Sequence, residues 1–205
     1  MLFAAVAFSV SAQQRGETIL AEAAKAYAES GGITAQFTTV ISSSRQQASE
    51  KIIGIIDMKG EKFKLITPDM HTFFDGVTQW VYMKEAGEVN VSTPSGDDLL
   101  LLNPALLLKN YQSGFRIVKQ SEATGRNGKP VYEIELVPLK KKDITRIVLQ
   151  LDKGTSLPAG IRVFSKGDMS TSVYITDIKK GVNQPDSFFV FKEADYPNAE
   201  MIDLR

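Results

Sequence analysis

The chain has 205 residues, 43% of them hydrophobic, and its 24 Lys plus Arg balance its 24 Asp plus Glu. That length and apolar content suffice for one domain with a sizeable core and argue against disorder. The zero net charge leaves no long-range field to gather nucleic acid or an anionic membrane, and the absence of cysteine rules out both a disulfide staple and an acylated lipobox thiol.

Residues 1–12, MLFAAVAFSVSA, carry no charge and end in the small residues of a secretory cleavage site, so they are expected to be a signal peptide removed before Gln13. No positive charge precedes the apolar run in residues 1–12, so the signal is expected to be truncated at its start, by a late start codon or as the remnant of a longer segment. Residues 13–205 are expected to form one exported, soluble domain, since no other apolar run nears the roughly 18 residues of a membrane span.

Glu17 to Ser30 places Ile19, Leu20, Ala23, Ala24 and Tyr27 on one helical face, and Gly31-Gly32 follows as a stop. Ile33 to Ile41 then alternates apolar and polar residues as a half-buried strand, Ser42 to Arg45 turns it, and a second strand runs to about Met58. Between Gly54 and Val91, β-branched and aromatic runs are broken at Lys59-Gly60-Glu61, Thr67-Pro68-Asp69, Asp75-Gly76 and Glu85-Ala86-Gly87. Turn signals this closely spaced mark an antiparallel meander.

Seven leucines, Leu99 to Leu102 and Leu106 to Leu108, then crowd around Asn103-Pro104. Proline suits a first helical turn and the residue before it avoids helical geometry, so a short helical turn, a break and a second short helix from Pro104 are expected. A helix apolar on nearly all sides must be covered on more than one face, by core or by a bound partner. Strands return at Phe115 to Glu122, Val131 to Val137, Ile144 to Asp152, Ala159 to Ser165 and Ser170 to Ile178. Pro185 to Phe191 supplies a last aromatic cluster, and Pro197 to Arg205 is expected to trail off without structure.

Gly54, Lys59, Phe63, Pro68, Asp75-Gly76, Trp80 and Tyr82, followed by the leucine-rich break and a closing Asp186, Phe189 and Phe191, resemble in order and spacing the LolA family of periplasmic outer-membrane lipoprotein carriers. The resemblance covers almost the whole of residues 13–205. It implies an α+β, mainly β fold: an incomplete antiparallel β-barrel with an N-terminal helix and short lid helices over an apolar cavity. The implied function is a periplasmic carrier that takes lipoprotein acyl chains from the inner to the outer membrane. The implied partners are acylated lipoproteins, an inner-membrane ATP-driven releasing complex and an outer-membrane acceptor; the chain is expected to act as a monomer without cofactor. Phe37, Ile56, Phe63, Leu65, Phe73, Trp80, Tyr82, Leu136 and Leu149 are the cavity candidates; Leu99, Leu100, Leu101, Leu102, Leu106, Leu107 and Leu108 are the lid candidates. One departure stands out: well-studied proteobacterial members of that family carry an arginine directly after the lysine, in a K-R-P run tied to the lid, whereas this chain has Gly60. Any polar latch must then be built from other residues.

Each of these residues has a plainer reading. The leucines and Trp80 also read as core filling, His71 as a solvated or hydrogen-bonded loop residue, Lys140 to Lys142 as a solvated turn, and Arg116, Arg146 and Arg162 as outward salt-bridge partners rather than cavity cations. No G-x-S-x-G elbow, phosphate loop or cysteine nucleophile is present, and the single histidine cannot anchor a metal cluster, so neither catalysis nor metal binding is expected. The alternatives to a lipoprotein carrier are a related half-barrel for a glycolipid or pigment, and a module that binds protein through its open sheet.

Overall fold

The computed structural model describes residues 4–43, 48–94, 104–141 and 143–205. Helix α1 (Ala4–Ala28) leads into strands β1 (Ile33–Ser43), β2 (Ala48–Lys59), β3 (Lys62–Ile66), β4 (Met70–Phe74), β5 (Gln79–Met83) and β6 (Glu88–Ser92). Helix α2 (Pro104–Gly114) is followed by β7 (Phe115–Thr124), β8 (Pro130–Pro138), β9 (Ile144–Asp152), β10 (Pro158–Ser165), β11 (Met169–Lys180) and β12 (Glu200–Asp203). These twelve strands join one open, curved sheet in the order β12-β6-β5-β4-β3-β2-β1-β11-β10-β9-β8-β7. Within β1 to β6 and within β7 to β11 consecutive strands pair antiparallel, and β1 joins the two runs by pairing with β11. This is the mainly β, incomplete barrel that the meander pattern and the family resemblance imply.

Helix α1 begins at Ala4, well before the expected Glu17, because residues 4–15 hold four alanines and neither glycine nor proline to stop it. It passes without a break through the expected processing site between Ala12 and Gln13. Its buried residues Gly16, Ile19, Leu20, Ala23 and Tyr27 recur at helical spacing and face the sheet. Gly16 sets the closest approach: a Cβ there would sit 3.2 Å from the Ile117 side chain. The helix ends where Gly31 and Gly32 take the left-handed φ values of 67° and 100°.

Under α1 and α2 lies the apolar face of the sheet. One part of the core joins Ile19, Leu20 and Ala23 of α1 and Leu107, Leu108 and Tyr111 of α2 to Ile134, Leu136, Ile147 and Leu149. The next joins Tyr27 to Phe37, Ile56, Met58, Phe63, Leu65 and Phe74. Val173 of β11 packs against both, so the two form one layer.

The C-terminal stretch departs from its expected course. Rather than trailing off, Glu200–Asp203 forms β12, paired parallel to β6 from Glu200↔Glu88 to Asp203↔Val91. The edge of β6 would otherwise be open, and main-chain bonds from Glu200 N–H to the Gly87 carbonyl (2.9 Å) and from Leu204 N–H to that of Val91 (2.8 Å) close it. Four largely exposed residues give no hydrophobic alternation, so the strand is silent in the sequence.

Candidate functional site

The centre of the site is the apolar layer between the sheet and its helical cover. Leu106, Leu107 and Leu108 are consecutive on α2 and all are buried, Leu107 completely. Successive helical residues point about 100° apart, so α2 is enclosed on more than one side, as its composition requires. The other lid candidates, Leu99, Leu100, Leu101 and Leu102, lie outside the described residues, as does the expected helical turn before Asn103.

Four of the cavity candidates, Phe37, Ile56, Phe63 and Leu65, meet in the part of this layer around Tyr27, and Leu136 and Leu149 lie in the part beneath α1 and α2. Ladder register explains the first group: Ala35↔Ile56, Ile56↔Leu65, Met58↔Phe63 and Phe63↔Phe74 place these side chains in rows across β1 to β4. Gly54 opposes Phe37 on β2, and a Cβ there would lie 2.6 Å from the Phe37 ring and 2.4 Å from the Ile66 carbonyl oxygen. The glycine is there because the ring lies across it.

Phe73, Trp80 and Tyr82 do not join that group. Phe73 and Phe74 are neighbours on β4 and therefore point to opposite faces; Phe74 belongs to the layer under α1, while Phe73 heads a separate cluster with Val89, Val91 and Phe191. Trp80, Tyr82 and Tyr196 pack against that cluster, with Phe191 edge-on to Phe73 at 5.8 Å and stacked on Tyr196 at 4.9 Å. The C-terminal segment thus covers the outer face of β4 to β6. His71 sits in β4 rather than in a loop, and its Nδ1 lies 2.8 Å from the Tyr196 hydroxyl. Burial, reinforced by the charges of Lys84 and Lys64, lowers its pKa from 6.5.

The three arginines also face outward. Arg116 and Arg162 alternate with the buried pairs Phe115/Ile117 and Ile161/Val163, and Arg162 bonds Ser172 Oγ at 3.2 Å and the Tyr174 hydroxyl at 3.4 Å. Arg146 sits over the Phe164 ring, with Glu135 3.7 Å away.

Polar ties concentrate on the β2–β3 turn, Lys59 to Lys62, where Gly60 has φ 59°. Tyr27 of α1 donates to the Gly60 carbonyl at 2.7 Å, and Lys109 of α2 pairs with Glu61. On the other side Lys59 donates to the Gln184 carbonyl at 2.9 Å, and both Lys59 and Lys62 reach Asp186, whose carboxyl they hold below its ordinary pKa. One four-residue turn therefore touches α1, α2 and the C-terminal segment. Composition foretold none of this, because each partner is distant in sequence.

A cleft of about 570 Å³ opens at the end of the sheet beside β11, floored in part by Leu157 and Ile175 of the layer under α1. No described helix is long and apolar enough to cross a membrane.

Comparison with known proteins agrees with this architecture. The sequence profile of the family described as outer membrane lipoprotein carrier protein LolA matches residues 7–167. No protein of curated function matches the sequence. Among solved structures, an uncharacterized conserved protein from Thermus thermophilus shares the fold, with TM-score 0.61 and 12% identity over 92% of this chain and 99% of its own. A LolA superfamily protein from Nitrosomonas europaea aligns with TM-score 0.48 and 11% identity, over 88% of this chain and 98% of its own. A putative outer membrane lipoprotein-sorting protein domain from Vibrio parahaemolyticus aligns with TM-score 0.45 and 15% identity, over 86% and 97%.

Proposed function

Because the chain belongs to the outer membrane lipoprotein carrier protein LolA family, we propose that it is a non-enzymatic periplasmic carrier that shelters lipoprotein acyl chains beneath α1 and α2. The observation that carries this reading is α2 itself: a short helix whose three consecutive leucines are all buried, Leu107 and Leu108 in one cluster with the apolar face of the sheet. Withdrawing an acyl chain from a bilayer costs about 0.8 kcal/mol per methylene, or about 12 kcal/mol for a chain of roughly fifteen. A carrier must offer a surface of comparable apolarity and still release its load, which a removable helical cover permits.

In the empty protein the leucines of α2 fill the space the hydrocarbon would take; in the loaded protein they lie on it. Cargo arrives from an inner-membrane ATP-driven complex and leaves to an outer-membrane acceptor. The test is equilibrium binding of a fluorescent fatty acyl probe to the purified protein, together with mass spectrometry of lipid carried by protein isolated from its own host. Saturable binding that is weakened in Leu107→Asp, and acylated peptide in the host-purified sample, are the expected results. No binding by a folded protein sinks the proposal, and a non-protein lipid as the only natural cargo replaces lipoproteins with another load.

A further inference from the structure

Strand β10 pairs with β11 only from Gly160↔Tyr174 to Ser165↔Met169, yet β11 runs on to Lys180 with β1 as its one remaining strand partner among the described residues. Opposite Thr34 and Gln36 the β1–β11 ladder slips, and Asp177 takes a left-handed φ of 50°. A bulge of this kind bends the strand and ends pairing on its free side. The result is a notch in the sheet, and the cleft of about 570 Å³ occupies it. That volume lies within the roughly 300–1,000 Å³ of small-molecule sites.

The two ends of the cleft differ in chemistry. Its floor includes Leu157, 1% exposed, and Ile175; both belong to the same cluster as Tyr27, Phe37 and Phe63, so the floor continues into the apolar layer under α1. Its lining also includes the exposed residues Lys129, Lys180 and Asp177, none of which has an ion-pair partner among the described residues. Asp152, also in the lining, is already engaged: its Oδ1 accepts from the Gly154 and Thr155 N–H groups and from the Thr155 hydroxyl.

Building on the carrier reading, we propose that this notch is a headgroup subsite for a single-chain amphiphile whose head bears both a phosphate and an amine. The hydrocarbon follows Leu157 and Ile175 inward, the phosphate sits with Lys129 and Lys180, and the ammonium faces Asp177. The ligand covers these three charges, and a covered charge without a counter-charge is disfavoured. An uncharged head leaves all three unmatched, and a purely anionic head leaves Asp177.

The probes are lysophosphatidylethanolamine, lysophosphatidic acid and monoacylglycerol of one chain length, each below its micellar concentration, with phosphoethanolamine as the chainless control. Calorimetric titration of the full chain is expected to show lysophosphatidylethanolamine binding about tenfold or more tighter than monoacylglycerol. Lys129→Ala with Lys180→Ala is expected to erase that advantage while leaving monoacylglycerol binding unchanged. Asp177→Asn, which keeps a residue tolerant of left-handed backbone, is expected to erase the preference over lysophosphatidic acid. Equal affinity for charged and uncharged heads, or an undiminished preference in the variants, overturns the headgroup subsite and leaves the carrier reading standing. Failure of every chain-bearing probe to bind overturns both.

Discussion

The Tyr27 hydroxyl donates to the Gly60 carbonyl oxygen at 2.7 Å, tying the last turn of α1 to the β2–β3 turn. The ring beneath that hydroxyl is buried with Phe37, Phe63 and Phe74, so one side chain joins the helix to both the apolar layer and the polar turn. Tyr27→Phe keeps the ring and removes the bond, and it is expected to lower stability by about 1 kcal/mol. Denaturant midpoints of the two proteins at equal slope measure the difference.

Gly54→Ala is expected to destabilise more strongly, by about 1–3 kcal/mol or above. The new methyl would meet the Phe37 ring and, more seriously, the Ile66 carbonyl oxygen, a backbone atom that cannot rotate away. Pairing it with Phe37→Leu relieves only the ring contact and should restore only part of the loss. Full recovery in thermal unfolding would show that the backbone contact is unimportant.

Lys109→Ala separates holding α2 in place from holding the fold together. The Lys109–Glu61 pair is well exposed on both sides, so its loss should cost no more than about 1 kcal/mol of stability. If α2 is the cover, the same change speeds entry of a fluorescent acyl probe in stopped-flow mixing. An unchanged entry rate counts against Lys109 and Glu61 as the latch of the cover.

Acid should loosen the C-terminal segment through His71. Its pKa is lowered in the fold, so the unfolded chain takes up the proton more readily. The stability linked to neutral His71 is full above about pH 6.5 and is lost as the pH falls through the lower folded-state value. Trp80, the only tryptophan, packs in the same outer cluster, and its fluorescence reports the change. His71→Gln should flatten the dependence in this window; Asp203, held at about 2 by Arg205, titrates well below it.

The strand alternation, the Asp75-Gly76 turn, the Pro104 helix start and the Gly31-Gly32 stop are local signals, and the sequence alone was enough to determine the succession of strands from β1 to β11 and the family. Local pattern could not say which face each strand presents to which neighbour. Phe73 and Phe74 are chemically identical, yet Phe74 lies under α1 and Phe73 under the C-terminal segment, because both faces of β4 are covered there. Phe73, Trp80 and Tyr82 therefore read as cavity residues from their side-chain type and the family pattern, and fell into a different cluster in three dimensions. Only the tertiary structure decided that division, the pairing of β12 with β6, the notch beside β11 and the meeting of α1, α2 and the C-terminal segment at Lys59 to Lys62. Each depends on contacts between residues far apart in the chain, whose register periodicity does not encode.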